Sequence, residues 1–204
     1  MNPSPEVIVV PTGTANTASV LAAFRRLGAR PRLCDDAGVV AKAPYAVLPG
    51  VGAFAAAAKQ LDDLELRNVL RRRIEDGLPT LAICLGMQLF CAGSEESPGA
   101  SGLGIVPTTA RRFSGELRVP QLGWNRVEPM GSELMEEGDA YFANTYRIED
   151  MPPGWAGAWT RYGKPFVSAL EQGPVLACQF HPELSGAWGA RLLARWLERG
   201  RGVA

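Results

Sequence analysis

Pro79-Thr-Leu-Ala-Ile-Cys-Leu-Gly-Met-Gln88 is the stretch on which the fold turns. The apolar run over residues 78–83 predicts a buried strand, and residues 85–91 predict the start of a helix. Cys84 therefore falls on the turn between them, with Gly86 two residues on to permit a sharp bend. A strand-to-helix turn lifts its side chain out of the sheet and sets it beside the free N–H groups of the helix start. The helix-end dipole favours thiolate over thiol, which makes Cys84 a candidate nucleophile. The structural alternative is a small core residue at a strand end.

A reactive thiol needs a base, and the sequence offers one histidine in 204 residues. An apolar strand predicted over 175–180 runs into His181-Pro-Glu183. His181 can take and return the proton of Cys84, and Glu183, held close by Pro182, can fix the imidazole tautomer. Taken alone, the same residues read as a histidine capping a strand end beside a solvated acid. The two strand ends together favour the catalytic reading.

Working outward, strands are predicted over 6–10, 30–34 and 45–48, the last leaving through Pro49-Gly-Val-Gly52, and helices over 14–27, 52–61 and 64–76. Alternation of this kind means a mostly parallel sheet with helices on both faces, an α/β fold. Ligands in such sheets bind beyond the carboxyl ends of the strands. Residues 49–52, Cys84 and His181 all follow predicted strands, so they can meet on one edge. Residues 93–104 turn to Gly, Ser, Glu and Pro, a surface loop. Aromatic-rich strands over 109–113, 124–127, 140–146, 156–162 and 166–171 predict a small antiparallel extension rather than a second domain, so residues 1–204 read as one domain. Residues 185–199 close the chain as an amphipathic helix with Trp188, Leu192, Leu193 and Trp196 on its apolar side.

The 21 basic residues balance the 21 acidic ones, so no field draws nucleic acid or an anionic membrane. Arg71-Arg72-Arg73 is the one basic cluster and reads as a solvated helix face. No apolar run approaches the ~20 residues of a spanning helix. Residues 1–6 lack the features of a signal peptide. The four cysteines, at 34, 84, 91 and 178, lack the spacing of a disulfide framework or zinc site. A cytoplasmic chain with reduced thiols and no metal is expected.

The residues also resemble a known family, the class I (triad-type) glutamine amidotransferases, and within it the glutaminase subunits of imidazole glycerol phosphate synthases. The likeness is carried by Pro49-Gly-Val-Gly-Ala-Phe54, Ile83-Cys-Leu-Gly-Met-Gln-Leu-Phe90, Leu122-Gly-Trp-Asn125, Tyr141-Phe142 with Thr145-Tyr146, and Gln179-Phe-His-Pro-Glu183 with Ser185-Gly186. The resemblance implies a flavodoxin-like open sheet and glutamine hydrolysis through a Cys84 thioester, with His181 and Glu183 completing a triad and no cofactor. It implies oxyanion donors at Leu85 and the loop of Gly50, Val51 and Gly52, and substrate contacts from Gln88, Glu96, Thr145 and Tyr146. It further implies a cyclase partner with a (β/α)₈ barrel, met by Trp124, Asn125 and Tyr141, to which ammonia passes for histidine biosynthesis.

The chain departs from that pattern at a few positions. Ala82 stands where the elbow usually has glycine, Gln121 and Asn144 where histidines are common, and Leu184 where a lysine usually follows His-Pro-Glu. Two rival readings stay open on sequence: the glutaminase of an anthranilate, aminodeoxychorismate or pyridoxal phosphate synthase, and a peptidase or stress protein built on a similar elbow. An inactive binding subunit is a third, against which the intact triad argues.

Overall fold

A computed structural model describes residues 4–12 and 16–202. Strands β1 (Glu6–Val9), β2 (Arg30–Leu33), β3 (Tyr45–Gly50) and β4 (Thr80–Cys84) alternate with helices α1 (Thr17–Arg26), α2 (Ala37–Lys42), α3 (Phe54–Asp63) and α4 (Leu66–Glu75). After α5 (Leu85–Gln88) come β5 (Cys91–Ser94), β6 (Val106–Arg112), β7 (Gln121–Met130), β8 (Gly138–Asn144), β9 (Tyr146–Arg147), β10 (Ala156–Tyr162), β11 (Lys164–Gln172) and β12 (Val175–Cys178). A 3₁₀ turn (Pro182–Leu184) leads into α6 (Gly186–Gly200).

Nine strands form one sheet in the order β2-β1-β3-β4-β12-β11-β10-β7-β8. Every pairing from β2 to β12 is parallel, and every pairing from β12 to β8 is antiparallel. A separate three-stranded sheet, β5-β6-β9, lies beside it. Strands β1, β3, β4 and β12 are near-continuous apolar runs because both of their faces are covered, whereas edge strand β2 is largely exposed. Val7, Val9, Val47 and Ile83 pack under α1 and α6, against Phe24, Leu192 and Trp196. Ile8, Leu48 and Ala82 point the other way, against Phe54, Leu61, Leu66 and Leu70 of α3 and α4. The predicted apolar side of the last helix holds: Trp188, Leu192, Leu193 and Trp196 are all buried.

The fold corrects two expectations and adds one helix. The helix predicted over 85–91 is one turn, Leu85–Gln88, because the Leu89 and Cys91 carbonyls accept from the Leu103 and Gly104 N–H groups and draw the chain into β5. Arg73 is not on a solvated face: it is 2% exposed and its guanidinium donates to the carbonyls of Val40, Ala41, Ala43 and Pro79, closing the end of α2. Helix α2 itself was not expected; Asp36 starts it by accepting the Val39 N–H, and six residues are too few for periodicity to register. Of the helix predicted over 14–27, residues 14 and 15 lie outside the described residues, as do residues 1–3 of the expected N-terminal stretch.

Candidate active site

Three neighbouring parallel strands carry the site. β3 pairs with β4 so that Gly50 faces Cys84, and β12 pairs with β4 so that Cys178 faces Ile83. The loops that leave these strands, residues 51–53, 85–88 and 179–183, therefore open on the same edge.

Cys84 itself takes the strained turn, at φ 55° and ψ −108°. The bend expected at Gly86 falls two residues earlier, and Gly86 serves another end. A Cβ there would lie 2.1 Å from the Leu48 carbonyl oxygen, so only glycine lets the elbow press against β3. Gly50 is the matching half of that contact, since a Cβ on it would meet Leu85 Cβ at 2.8 Å. A non-glycine residue at positive φ persists only where its surroundings hold it. Here both glycines bring packed backbone to either side.

His181 is 6% exposed, and its Nδ1 lies 2.9 Å from Glu183 Oε1. A carboxylate only accepts, so Nδ1 carries a proton and Nε2 is left to exchange one with sulfur. The loop is locked from both sides. His181 N–H donates to the Tyr141 carbonyl at 2.8 Å, and Ser185 Oγ donates to the His181 carbonyl at 2.6 Å. Burial pulls the imidazole pKa down, but hydrogen bonds to Cys84 and Glu183 and their negative charge override it and lift it to about 10. The imidazolium is thus the favoured form, with the Glu183 carboxylate beside it.

A cavity of about 250 Å³ opens in front of the sulfur. Cys84, Leu85, His181, Val51 and Gly52 line it. Gln88, Glu96, Thr145 and Tyr146 complete it, together with Ala143 and Asn144. The space falls below the ~300 Å³ at which drug-sized pockets begin, which suits a small metabolite rather than a folded polypeptide. Glu183 stands behind His181, and Gly50 behind Leu85.

Glu96 has a second contact. Its Oε2 accepts the Phe54 N–H at 2.7 Å, tying the 93–104 segment to the start of α3 and so to the residue 51–53 loop. Gln88 Nε2 donates to the Tyr146 carbonyl at 3.2 Å and to Gln179 Oε1 at 3.0 Å. Of the residues expected to meet a partner, Trp124 is 60% exposed and stacks edge-on against half-buried Tyr141, ring centroids 6.2 Å apart. Asn125 instead bonds inward, to the Arg161 carbonyl at 2.9 Å and to the Arg126 N–H. Leu122 and Leu184 join Trp124 among the exposed large apolar side chains. Among the described residues no group of three or more His, Cys, Asp or Glu side chains could hold a metal.

Sequence reasoning assigned no role to Gln179, whose Nε2 lies 3.7 Å from Cys84 Sγ. The available signal was an amide at the end of an apolar strand, two residues before the sole histidine. It also missed Ala143, whose carbonyl lies 3.9 Å from the sulfur, because a backbone group leaves no mark in the side-chain pattern.

A family model described as Glutamine amidotransferase class-I matches residues 12–198. The imidazole glycerol phosphate synthase subunit HisH of Deinococcus radiodurans is 40% identical over 200 residues, covering 95% of this chain and 93% of that protein. The subunit of the same description from Escherichia coli is 38% identical over 198 residues, covering 94% and 98%. Among solved structures, one described as a glutamine amidotransferase superposes with a TM-score of 0.77 at 20% identity, covering 95% of this chain and 98% of the other. PurLQS from Thermotoga maritima superposes with 0.70 at 16% identity, covering 96% and 99%. At those identities the superpositions speak for the fold alone.

Proposed function

The chain belongs to the class I glutamine amidotransferase family, and from that premise we propose that it is the glutaminase subunit of an imidazole glycerol phosphate synthase. The observation that carries the reading is the convergence of Cys84, His181 and Glu183 at the ends of two adjacent parallel strands, before a cavity sized for a free amino acid.

The thiolate of Cys84 attacks the carboxamide carbon of glutamine; a C–S bond forms and the carbonyl π pair moves onto oxygen. N–H groups of Leu85 and of the Gly50, Val51 and Gly52 loop hold that oxyanion, each worth about 2.7–4 kcal/mol. As the C–N bond breaks, the imidazolium of His181 gives its proton to the departing nitrogen, which leaves as ammonia. Neutral His181 then takes a proton from water as the water attacks the thioester. The thiolate departs, and glutamate is released. Glu183 keeps the ring oriented through both halves. Glu96 provides the anion for the substrate ammonium, while Gln88, Thr145 and Tyr146 shape the rest of the pocket.

The partner is a cyclase subunit with a (β/α)₈ barrel, which receives the ammonia and makes imidazole glycerol phosphate and aminoimidazole carboxamide ribotide in the cytoplasm. The exposed Trp124 with Tyr141 and Leu122 offers it an aromatic docking face, with Asn125 fixing the ribbon beneath. One glutaminase domain, residues 1–204, serves this role.

The test is glutamate release from glutamine by the purified chain, alone and with the barrel cyclase and its ribotide ligand. Strong stimulation by the pair is expected. Hydrolysis that ignores this cyclase would assign the glutaminase to another synthase, and cleavage of peptides in place of glutamine would overturn the family chemistry here.

A further inference from the structure

The sulfur of Cys84 has a neighbour that the triad does not use. Gln179 is completely buried, and its side-chain Nε2 is within hydrogen-bond reach of Sγ at 3.7 Å. Which end of an amide faces an atom is a matter of its partners. Here the partners decide it. The Tyr146 carbonyl is an acceptor only, so the end of Gln88 that lies 3.2 Å from it is the NH₂. The same Gln88 NH₂ lies 3.0 Å from Gln179, so Gln179 must turn its oxygen toward Gln88. Its NH₂ is then the group that faces sulfur. Flipping Gln179 sets NH₂ against NH₂ and oxygen against sulfur; flipping Gln88 sets its oxygen against a carbonyl. Asn144 Nδ2 donates to the same Tyr146 oxygen at 3.0 Å and holds the far end of the chain.

We propose that Gln179 is a further catalytic residue, donating its side-chain N–H to the Cys84 thiolate, with Gln88 positioning it. This rests on Cys84 being the nucleophile. Cys84 is 5% exposed, so solvent offers its sulfur few donors. The one-turn α5 offers little dipole against that burial. On its other side the Ala143 carbonyl, 3.9 Å away, accepts a proton from the thiol form but gives nothing to the anion. Gln179 supplies a second donor beside His181. Unlike His181, it keeps its N–H through both half-reactions, so it serves the sulfur each time charge returns there. The ionisable groups around Cys84 are His181, Glu183 behind it, and Glu96 and Tyr146 across the cavity.

The test is the pH dependence of Cys84 alkylation by iodoacetamide in the purified chain, mapped by mass spectrometry so that partly exposed Cys34 is counted apart. Gln179→Leu is expected to raise the midpoint for Cys84 by about one pH unit, as loss of one hydrogen bond to a charged group does. Gln179→Glu, which keeps the shape and sets an acceptor against sulfur, is expected to raise it further. A Gln179→Leu chain that melts with wild type and alkylates at the wild-type midpoint overturns the inference. If the leucine variant does not fold, Gln179→Glu decides it: a raised midpoint supports the donor role, and an unchanged one removes it. The readout needs no glutamine. A shifted midpoint in a chain without glutaminase activity would sink the proposed function and leave the donor standing; an unshifted one in an active chain would do the reverse.

Discussion

In the parallel half of the sheet, β3, β4 and β12 are buried along their whole length and end at Gly50, Cys84 and Cys178. In the antiparallel half, β7 alternates buried and open positions and leaves Leu122 67% and Trp124 60% exposed. The first half holds the proposed nucleophile in a backbone conformation that only tight packing sustains. The second returns at β8 to lay Tyr141, Ala143 and Asn144 beside Cys84 and His181. Chemistry sits where the chain has no freedom, and the proposed recognition surface sits on a ribbon that is solvated on one face. Substitutions in the two halves should therefore fail in different ways.

The largest effect belongs to the nucleophile. Cys84→Ala should lower glutamine hydrolysis by at least about 10⁴-fold, while ammonium-dependent synthesis by the assembled enzyme is retained. Loss of both would show that the division of labour between subunits is wrong. Glu183→Gln should lower kcat by about 10²–10⁴-fold, since the ring loses the acceptor that fixes its tautomer. The same variant carries a pH signature. The folded-state pKa of His181 is raised to about 10, above its unfolded value of about 6.5. Its stabilisation is therefore complete below about pH 6.5 and is lost as pH rises through about 10. The gap in melting temperature between wild type and Glu183→Gln should be widest near pH 6 and shrink toward pH 10. A gap that widens with pH would mean that His181 is buried neutral.

Gly86→Ala probes the same half through packing alone. Its Cβ would stand 2.1 Å from the Leu48 oxygen, backbone against backbone, with nothing flexible to give way. Destabilisation of about 3 kcal/mol is expected, or a melting point lower by ~6–12 °C in a chain of this size. Trp124→Ala should behave in the opposite manner. Its ring is mostly solvated, so stability should stay within about 0.5 kcal/mol of wild type, while cyclase binding weakens by about 2 kcal/mol, ~30-fold. Equal binding by titration calorimetry would remove Trp124 from the docking face.

The same contrast explains what could be read in advance. Apolar runs such as residues 45–48 and 78–83, the first leading into Pro49-Gly50 and the second into Cys84, announce buried parallel strands and their loops, so β3, β4, β12 and the residues that follow them are legible. What escaped depended on partners distant in sequence. Arg73 looks solvated until α2 brings carbonyls to it across about thirty residues. The length of α5 is set by residues 103 and 104, which no local pattern near Leu85 reveals. Gln179 looks like one amide in a strand, and its meaning comes from Gln88, ninety-one positions away. The sharp bend is expected at Gly86 because glycine takes it cheaply, yet the positive φ falls on Cys84.

That misplaced strain yields the smallest prediction. At φ 55° and ψ −108° any side chain crowds its own backbone, and a residue so placed stores about 1–3 kcal/mol. Cys84→Ala keeps the Cβ and therefore the strain; Cys84→Gly removes both, against a loss of roughly 0.5–1 kcal/mol from the freer unfolded chain. The two variants are alike in lacking the thiol, so their difference isolates the backbone. Cys84→Gly should melt above Cys84→Ala by the equivalent of about 1 kcal/mol. If alanine proves the more stable of the two, the elbow is relaxed, and packing by Gly50 and Gly86 shapes the turn without holding it under load.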